Sequence, residues 1–313
     1  MLDRFGIDVT KLPSMTAKAP ERVLILDADG AAYRAAATVK TLPTALRRFC
    51  TEVLEQMFLT NSTEARLHLT AEGGFKGGRG RYPSFRPYQH NRSNKAKPAL
   101  LEPLRILLST ERAVDMGLPE EWYVNLHHYW EADDGCTMDS LYFGERSVVV
   151  SDDKDLRLVR GPYWEATRGA ISRIQDSFGY IAEHPNNGTY PIGHGTKYFW
   201  LQMLMGDTAD GIRGLDRLDG KLCGKVTAMQ YLEDVTDENE CANKVLWAYA
   251  RSGQDALAEA QVLWMRRFER DCAFTYLNEL EFDKPLKDWV QQLNQYHVEY
   301  SAMLDAEHVE AME

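Results

Sequence analysis

The feature that most narrows the choice of fold is a short apolar run that ends in an acid. Arg22-Val-Leu-Ile-Leu-Asp27 has no polar position between its two ends, which suits a parallel strand buried on both faces. Helical spacing follows it, because Leu46, Phe49, Cys50, Val53, Leu54, Met57 and Phe58 fall on one stripe of a helix. Leu67 to Ala71 and Trp122 to Asn125 are further expected strands, Ala132 through Phe143 an expected helix, and Ser147-Val-Val-Val-Ser151 the clearest strand. Strands alternating with helices predict an α/β fold with a mainly parallel sheet flanked by helices. After about Tyr198 strand-like runs give way to helical stretches such as Leu257 to Tyr276, which predicts a helical second part. The expected organisation is an N-terminal extension (1–20), an α/β core (21–198) carrying a long loop (73–98), a helical part (199–285) and an acidic C-terminal tail (286–313).

Composition removes several classes. With 44% hydrophobic residues, 27% charged residues and a mean hydropathy of −0.43, the chain suits a water-soluble globular protein. No apolar run approaches the roughly 20 residues of a spanning helix, so no membrane partner is expected. Asp3, Arg4, Asp8 and Lys11 do not suit a signal peptide, which points to the cytoplasm. The five cysteines are scattered with no CxxC pair, so neither a disulfide framework nor a zinc site is indicated. The net charge of −11 is unevenly spread. From Lys76 to Arg105 eight basic residues face one acid, a window of +7 that leaves −18 elsewhere. Within it Tyr82, Phe85 and Tyr88 interleave with Arg79, Arg81, Arg86 and Arg92, a pattern equally suited to stacking bases while holding phosphates or to packing beneath the loop.

The acids gather into four groups: Asp27 and Asp29; Glu131, Asp133 and Asp134; Asp152, Asp153 and Asp155; and Asp207 and Asp210. In an open parallel sheet the C-terminal strand ends face one crevice, where Asp27 and the Asp153 group converge. Carboxylates packed together repel, and hard divalent ions with oxygen ligands relieve that repulsion. A single acidic pair is commonly a helix cap or a solvated face, but four groups, each beside a hydrophobic element, point to a site for two Mg²⁺ or Mn²⁺ ions. Beside a strongly basic loop, such a site suits phosphodiester chemistry. Gly211, Gly214, Gly220 and Gly224 allow the segment from Gly211 to Lys225 to approach a duplex backbone closely.

Together these motifs resemble the 5′-nuclease superfamily of flap endonucleases and 5′→3′ exonucleases, particularly the stand-alone exonucleases of bacteriophages. The resemblance runs with gaps from about Arg22 to Asp283, through Leu-Asp-Ala-Asp29, Glu131-Ala-Asp-Asp134, Val-Val-Ser-Asp-Asp-Lys-Asp155 and Gly206-Asp-Thr-Ala-Asp-Gly-Ile-Arg-Gly214. It implies a PIN-like core followed by a helix-turn-helix DNA-binding part. It further implies a metal-dependent 5′→3′ exonuclease of DNA replication, acting on duplex DNA with a 5′ end or flap, with flap cleavage and removal of RNA from RNA–DNA hybrids left open. Carried over by position, Asp27 and Asp133 hold one metal and Asp153, Asp155 and Asp207 the other. Glu131, Asp134 and Asp210 act on the metals directly or through water. Arg92 contacts the scissile phosphate, and Arg79, Arg81, Arg86, Lys95, Lys97, Gly211, Gly214 and Lys225 are the further candidates for DNA contact. The sequence departs from the family pattern at Glu72, where a further Asp is usual, and at Gln89, where a Lys is usual.

Two other readings fit parts of the chain. Leu26-Asp-Ala-Asp-Gly30 also resembles the nucleophile motif of haloacid-dehalogenase-type phosphatases, with Asp27 as nucleophile and Asp29 as acid/base. That reading leaves Glu131-Ala-Asp-Asp134 and the basic loop unused. A catalytically inactive DNA-binding protein would account for Gln89, but it gains nothing from gathering so many acids.

Overall fold

The computed structural model describes residues 21–90, 96–110, 115, 118–184 and 187–310. Arg92, Lys95 and the expected extension 1–20 lie outside the described residues. The first elements are β1 (Val23–Asp27), α1 (Ala28–Ala37), α2 (Leu42–Thr60), β2 (Glu64–Thr70), α3 (Leu101–Leu108), β3 (Trp122–His127), α4 (Ala132–Phe143) and β4 (Ser147–Val150). Strands β5 (Gly161–Glu165), β6 (Ala170–Ile174), β7 (Tyr180–His184) and β8 (Asn187–His194) follow. The remainder comprises α5 (Gly195–Met205), the two-residue strands β9 (Arg217–Leu218) and β10 (Lys221–Leu222), α6 (Lys225–Leu232), α7 (Glu238–Ser252), α8 (Ala256–Leu263), α9 (Ala273–Glu279) and α10 (Lys284–Glu310).

The sheet has six strands in the order β3-β2-β1-β4-β5-β6, parallel except for the last pair. β1 lies inside it, and alternation along the strand explains why the whole run is apolar. Leu24 and Leu26 join a core under α1, α2 and α3, while Val23 and Ile25 join Cys136, Val149 and Tyr163 on the opposite face. The mainly parallel sheet flanked by helices is therefore as expected. The hairpins β5–β6 and β7–β8 are additions that the hydrophobic pattern did not predict.

A second core surrounds α5, of which every residue from Gly195 to Leu204 is buried. A helix buried on all sides needs protein all round it, and α6 to α10 supply it together with Trp264 stacked on Tyr276. The boundary drawn at residue 198 falls inside α5. The stretch read as a tail from 286 is part of α10, with Leu286, Val290 and His297 buried. Among the described residues no helix is long and apolar enough to cross a membrane.

The helix expected over Leu257 to Tyr276 is broken into α8 and α9. The cause is tertiary: Arg79 takes the carbonyls of Val262 and Trp264, at 3.1 and 2.8 Å, which an uninterrupted helix would use internally. Arg79 reaches that depth because Lys76–Arg81 forms a tight turn in which Gly77 and Gly78 adopt φ of 64° and 76°. L side chains rarely take that conformation. The Lys76–Tyr82 part of the expected basic loop is thus packed into the protein. Tyr82 and Tyr88 lie against the second core, while Phe85 stays exposed under the Arg213 guanidinium.

Candidate metal centre

Asp27 ends β1 and caps α1, its Oδ1 accepting the Asp29 amide at 3.2 Å. One strand over, Ser151 follows β4; its hydroxyl donates to Asp27 Oδ2 at 3.2 Å and accepts the Asp153 amide at 2.9 Å. Asp133 arrives from the first turn of α4, whose start is tied to the end of β2 by the Ala132 amide donating to Thr70 Oγ1 at 2.9 Å. Parallel strand ends and one helix start thus bring Asp27, Asp133 and Asp153 close enough for their charges to act on one another, although among the described residues the acids whose oxygens all lie within 4.8 Å of one another are Asp155, Asp207 and Asp210.

Burial pushes the Asp27 carboxyl up to about 7, and the charges of Asp29 and Asp153 add to it. Burial likewise holds Asp133 well above the carboxylate range, reinforced by Asp27 and Asp153. Among the described residues no basic group or hydrogen-bond donor is seen on the Asp133 carboxylate. Mutually raised carboxylates of this kind fit a hard divalent cation, whose charge would favour the ionised form of each.

Asp134 and Glu131 already have a cation from the chain. Asp134 is fully buried and receives both arms of the Arg79 guanidinium at 2.7 Å, the Arg266 amide at 3.2 Å and the Glu131 amide at 3.3 Å. Burial alone would raise it, but Arg79 holds its carboxyl below the usual range. Glu131 accepts from Arg79 at 3.0 Å, from the Tyr88 hydroxyl at 2.7 Å and from the Gln89 amide at 3.2 Å. These contacts correct two expectations. Arg79 is 1% exposed and cannot reach DNA, and the oxygens of Asp134 are committed to Arg79 and backbone amides instead of a metal.

Asp155, Asp207 and Asp210 form a separate cluster, one carboxylate oxygen of each lying within 4.8 Å of the others. Lys154 bridges two of them, donating to Asp155 Oδ1 at 2.9 Å and to Asp207 Oδ2. Asp153 stands next to this group without being one of the three, its Oδ1 accepting the Asp155 amide at 2.9 Å. Asp153 couples electrostatically to Asp27 and Asp133.

Other candidates are placed as follows. Gly211 and Gly214 are buried, and the Gly214 amide is taken by Glu259 at 2.8 Å, so it cannot receive a phosphate. Gly214 has a φ of 74°, and an added Cβ would meet the Gly206 amide at 2.3 Å. Burial pushes Glu259 itself up to about 7. Arg81 is paired with Asp305, and Lys97 with Glu72 at 2.8 Å. Asp29 is held by Arg105 at 2.6 Å and by the Thr70 amide at 3.2 Å. Arg86 is half-exposed with no acid partner seen among the described residues, and Lys225 is half-exposed in the first turn of α6. Three groups were not singled out from sequence. Lys76 donates to Gln89 Oε1 at 2.5 Å, Ser151 joins two strand ends, and buried Gln202 donates to Asp155 Oδ1 at 2.6 Å. Lys76 was visible only as one basic residue among eight, and the other two had no local signal.

No family model matches the chain, and no curated protein matches it. Among solved structures it is similar to a T5 5′-exonuclease with bound zinc ions, at 12% identity and a TM-score of 0.48, over 90% of this chain and 99% of that one. It is also similar to a bacteriophage T5 flap endonuclease variant in a pseudo-enzyme–product complex with DNA and metal ions, at 13% identity and a TM-score of 0.48, over 90% and 99% of the two chains. A T5 protein co-crystallised with metal ions matches at 14% identity and a TM-score of 0.45, over 89% and 99%.

Proposed function

We propose that this chain is a divalent-metal-dependent nuclease that hydrolyses phosphodiesters of duplex DNA from a 5′ end or flap, in the 5′→3′ direction, as a DNA-replication enzyme, with RNA in the 5′ segment as a further substrate. The observation that carries it is the trio Asp27, Asp133 and Asp153 at the strand ends, where burial and the neighbouring acids raise the carboxyls of Asp27 and Asp133. An all-oxygen donor set favours Mg²⁺ or Mn²⁺. When bound there, such an ion lowers the pKa of a water and offsets charge on the reacting phosphate.

The chain's own residues do the rest. Ser151 keeps Asp27 and Asp153 at a fixed separation, and Thr70 holds the helix start that delivers Asp133. The Arg79–Asp134–Glu131 cluster locks that helix start from behind and positions Tyr88 and Gln89 beside the acids. Lys76, drawn onto Gln89, brings an ammonium to the position where the family pattern has a lysine, and Arg86 is available for the phosphate backbone. A phosphatase using Asp29 as acid/base is disfavoured because Arg105 and the Thr70 amide occupy that carboxylate.

The test uses a blunt duplex labelled at either the 5′ or the 3′ end, incubated with Mg²⁺ or with EDTA and resolved on a denaturing gel. Mg²⁺-dependent release of short 5′-labelled products, with progressive shortening of the 3′-labelled strand, is expected. Intact DNA under both conditions, with a generic phosphomonoester hydrolysed instead, would replace the nuclease by a phosphatase.

A further inference from the structure

Asp155 and Asp207 are buried beside half-buried Asp210, yet the positive charge they need is already present. The Lys154 ammonium sits between Asp155 and Asp207, reaching one carboxylate oxygen of each. Gln202 faces the same two oxygens with its amide nitrogen, at 2.6 and 3.4 Å, while its carbonyl oxygen is buried with no hydrogen-bond partner. That amide orientation suits carboxylates whose counter-ion is an ammonium, because its N–H groups also need acceptors. A half-turn about the last side-chain bond would present the unpartnered oxygen to a metal ion instead.

We propose that Lys154 is the resident cation of the Asp155–Asp207–Asp210 site, and that a divalent ion enters that site only in exchange for it, with Gln202 turning its carbonyl oxygen inward as the ammonium leaves. The inference rests on the proposed function for its first ion site and deepens it by setting the order of metal loading. Lys154 can make the exchange because its side chain is 38% exposed and its flexible stem can carry the ammonium into solvent. An ion drawn to Asp155 Oδ1 and Asp207 Oδ2 competes with the ammonium for the same lone pairs, so it binds only at the cost of both ion pairs.

Mn²⁺ titration of the full chain, followed by calorimetry and by the electron paramagnetic resonance of free Mn²⁺, tests this without reference to cleavage. The wild type is expected to show one tight site and a second that is at least about tenfold weaker. Lys154→Gln should close that gap by tightening the second site, and Lys154→Arg, which keeps a cation, should preserve it. Two wild-type sites of equal affinity would overturn the proposal whatever the variants do, as would a second site left equally weak in a folded Lys154→Gln protein. Asp133→Asn separates this inference from the nuclease reading, because it should remove the tight site alone. A tight site that survives Asp133→Asn sinks the assignment of the first ion to the strand ends, while the Lys154 exchange is still decided by the Lys154→Gln titration.

Discussion

Asp133 and Asp134 are consecutive residues in the first turn of α4, and the protein treats them in opposite ways. Asp134 turns away from the strand ends into the interior, where the Arg79 fork and two backbone amides satisfy it and hold its carboxyl low. Asp133 turns toward Asp27 and Asp153, where burial and two like charges hold its carboxyl high. A helix start thus divides its acids between a structural clamp and a crevice of like charges. Side-chain type alone does not assign a role, because the nearest cation decides it.

The largest effects should come from breaking this pair of neighbours separately. Asp133→Asn should reduce Mg²⁺-dependent cleavage by at least about 1,000-fold while leaving duplex binding intact. It should also make the metal-free protein more stable to heat. Asp134→Asn should instead lower stability, costing about 3 kcal/mol in chemical denaturation because it leaves Arg79 buried with too little negative charge. Equal losses of stability in the two variants would erase the distinction.

A smaller effect sharpens the comparison through pH. Asp27 rises from 3.8 in the unfolded chain to about 7 in the fold, so the folded protein binds the extra proton between those values. In EDTA its contribution to stability should be fully present below about pH 4 and lost as the pH climbs through about 7. Mg²⁺ favours the ionised form and should therefore raise the melting temperature by several degrees at pH 8 and very little at pH 5. Glu259 is also pushed up to about 7 and should supply a metal-independent part of the same trend, which Glu259→Gln removes. A Mg²⁺ shift of the same size at both pH values would contradict the strand-end assignment.

The smallest change is expected at the surface. Arg86→Ala should weaken duplex binding a few-fold and reduce the salt slope of log affinity by about one, with catalysis at saturating DNA little altered. An unchanged salt slope would take Arg86 off the phosphate track.

The strands of the main sheet were legible where the physics is local. The apolar run of β1 and the Val148-Val-Val150 triplet need both faces buried, and α4 starts and ends where its pattern says. The hairpins from Gly161 to His194 were missed because Pro162, Glu165 and Arg173 interrupt any clean alternation, and pairing across each hairpin supplies the order. The break between α8 and α9 was equally hidden, since its cause is a guanidinium more than 180 residues earlier in the chain. The site followed the same division. Its acids stood out by clustering, but their partition among Arg79, Lys154 and the strand ends depends on contacts no local pattern encodes. Lys154 stands inside the Ser-Asp-Asp-Lys-Asp155 motif, where its place in the chain alone does not distinguish a bridge between two buried acids from a solvated lysine.

Arg79 joins residues far apart in the chain: Glu131 and Asp134 on the sheet side, and the Val262 and Trp264 carbonyls on the helical side. The two halves are consequently poor candidates for modular exchange. A recombinant that paired this sheet with a foreign helical half would bury a guanidinium whose remaining donors have nowhere to go, so inheritance and engineering alike must carry the arginine, its acids and the α8–α9 turn as one unit.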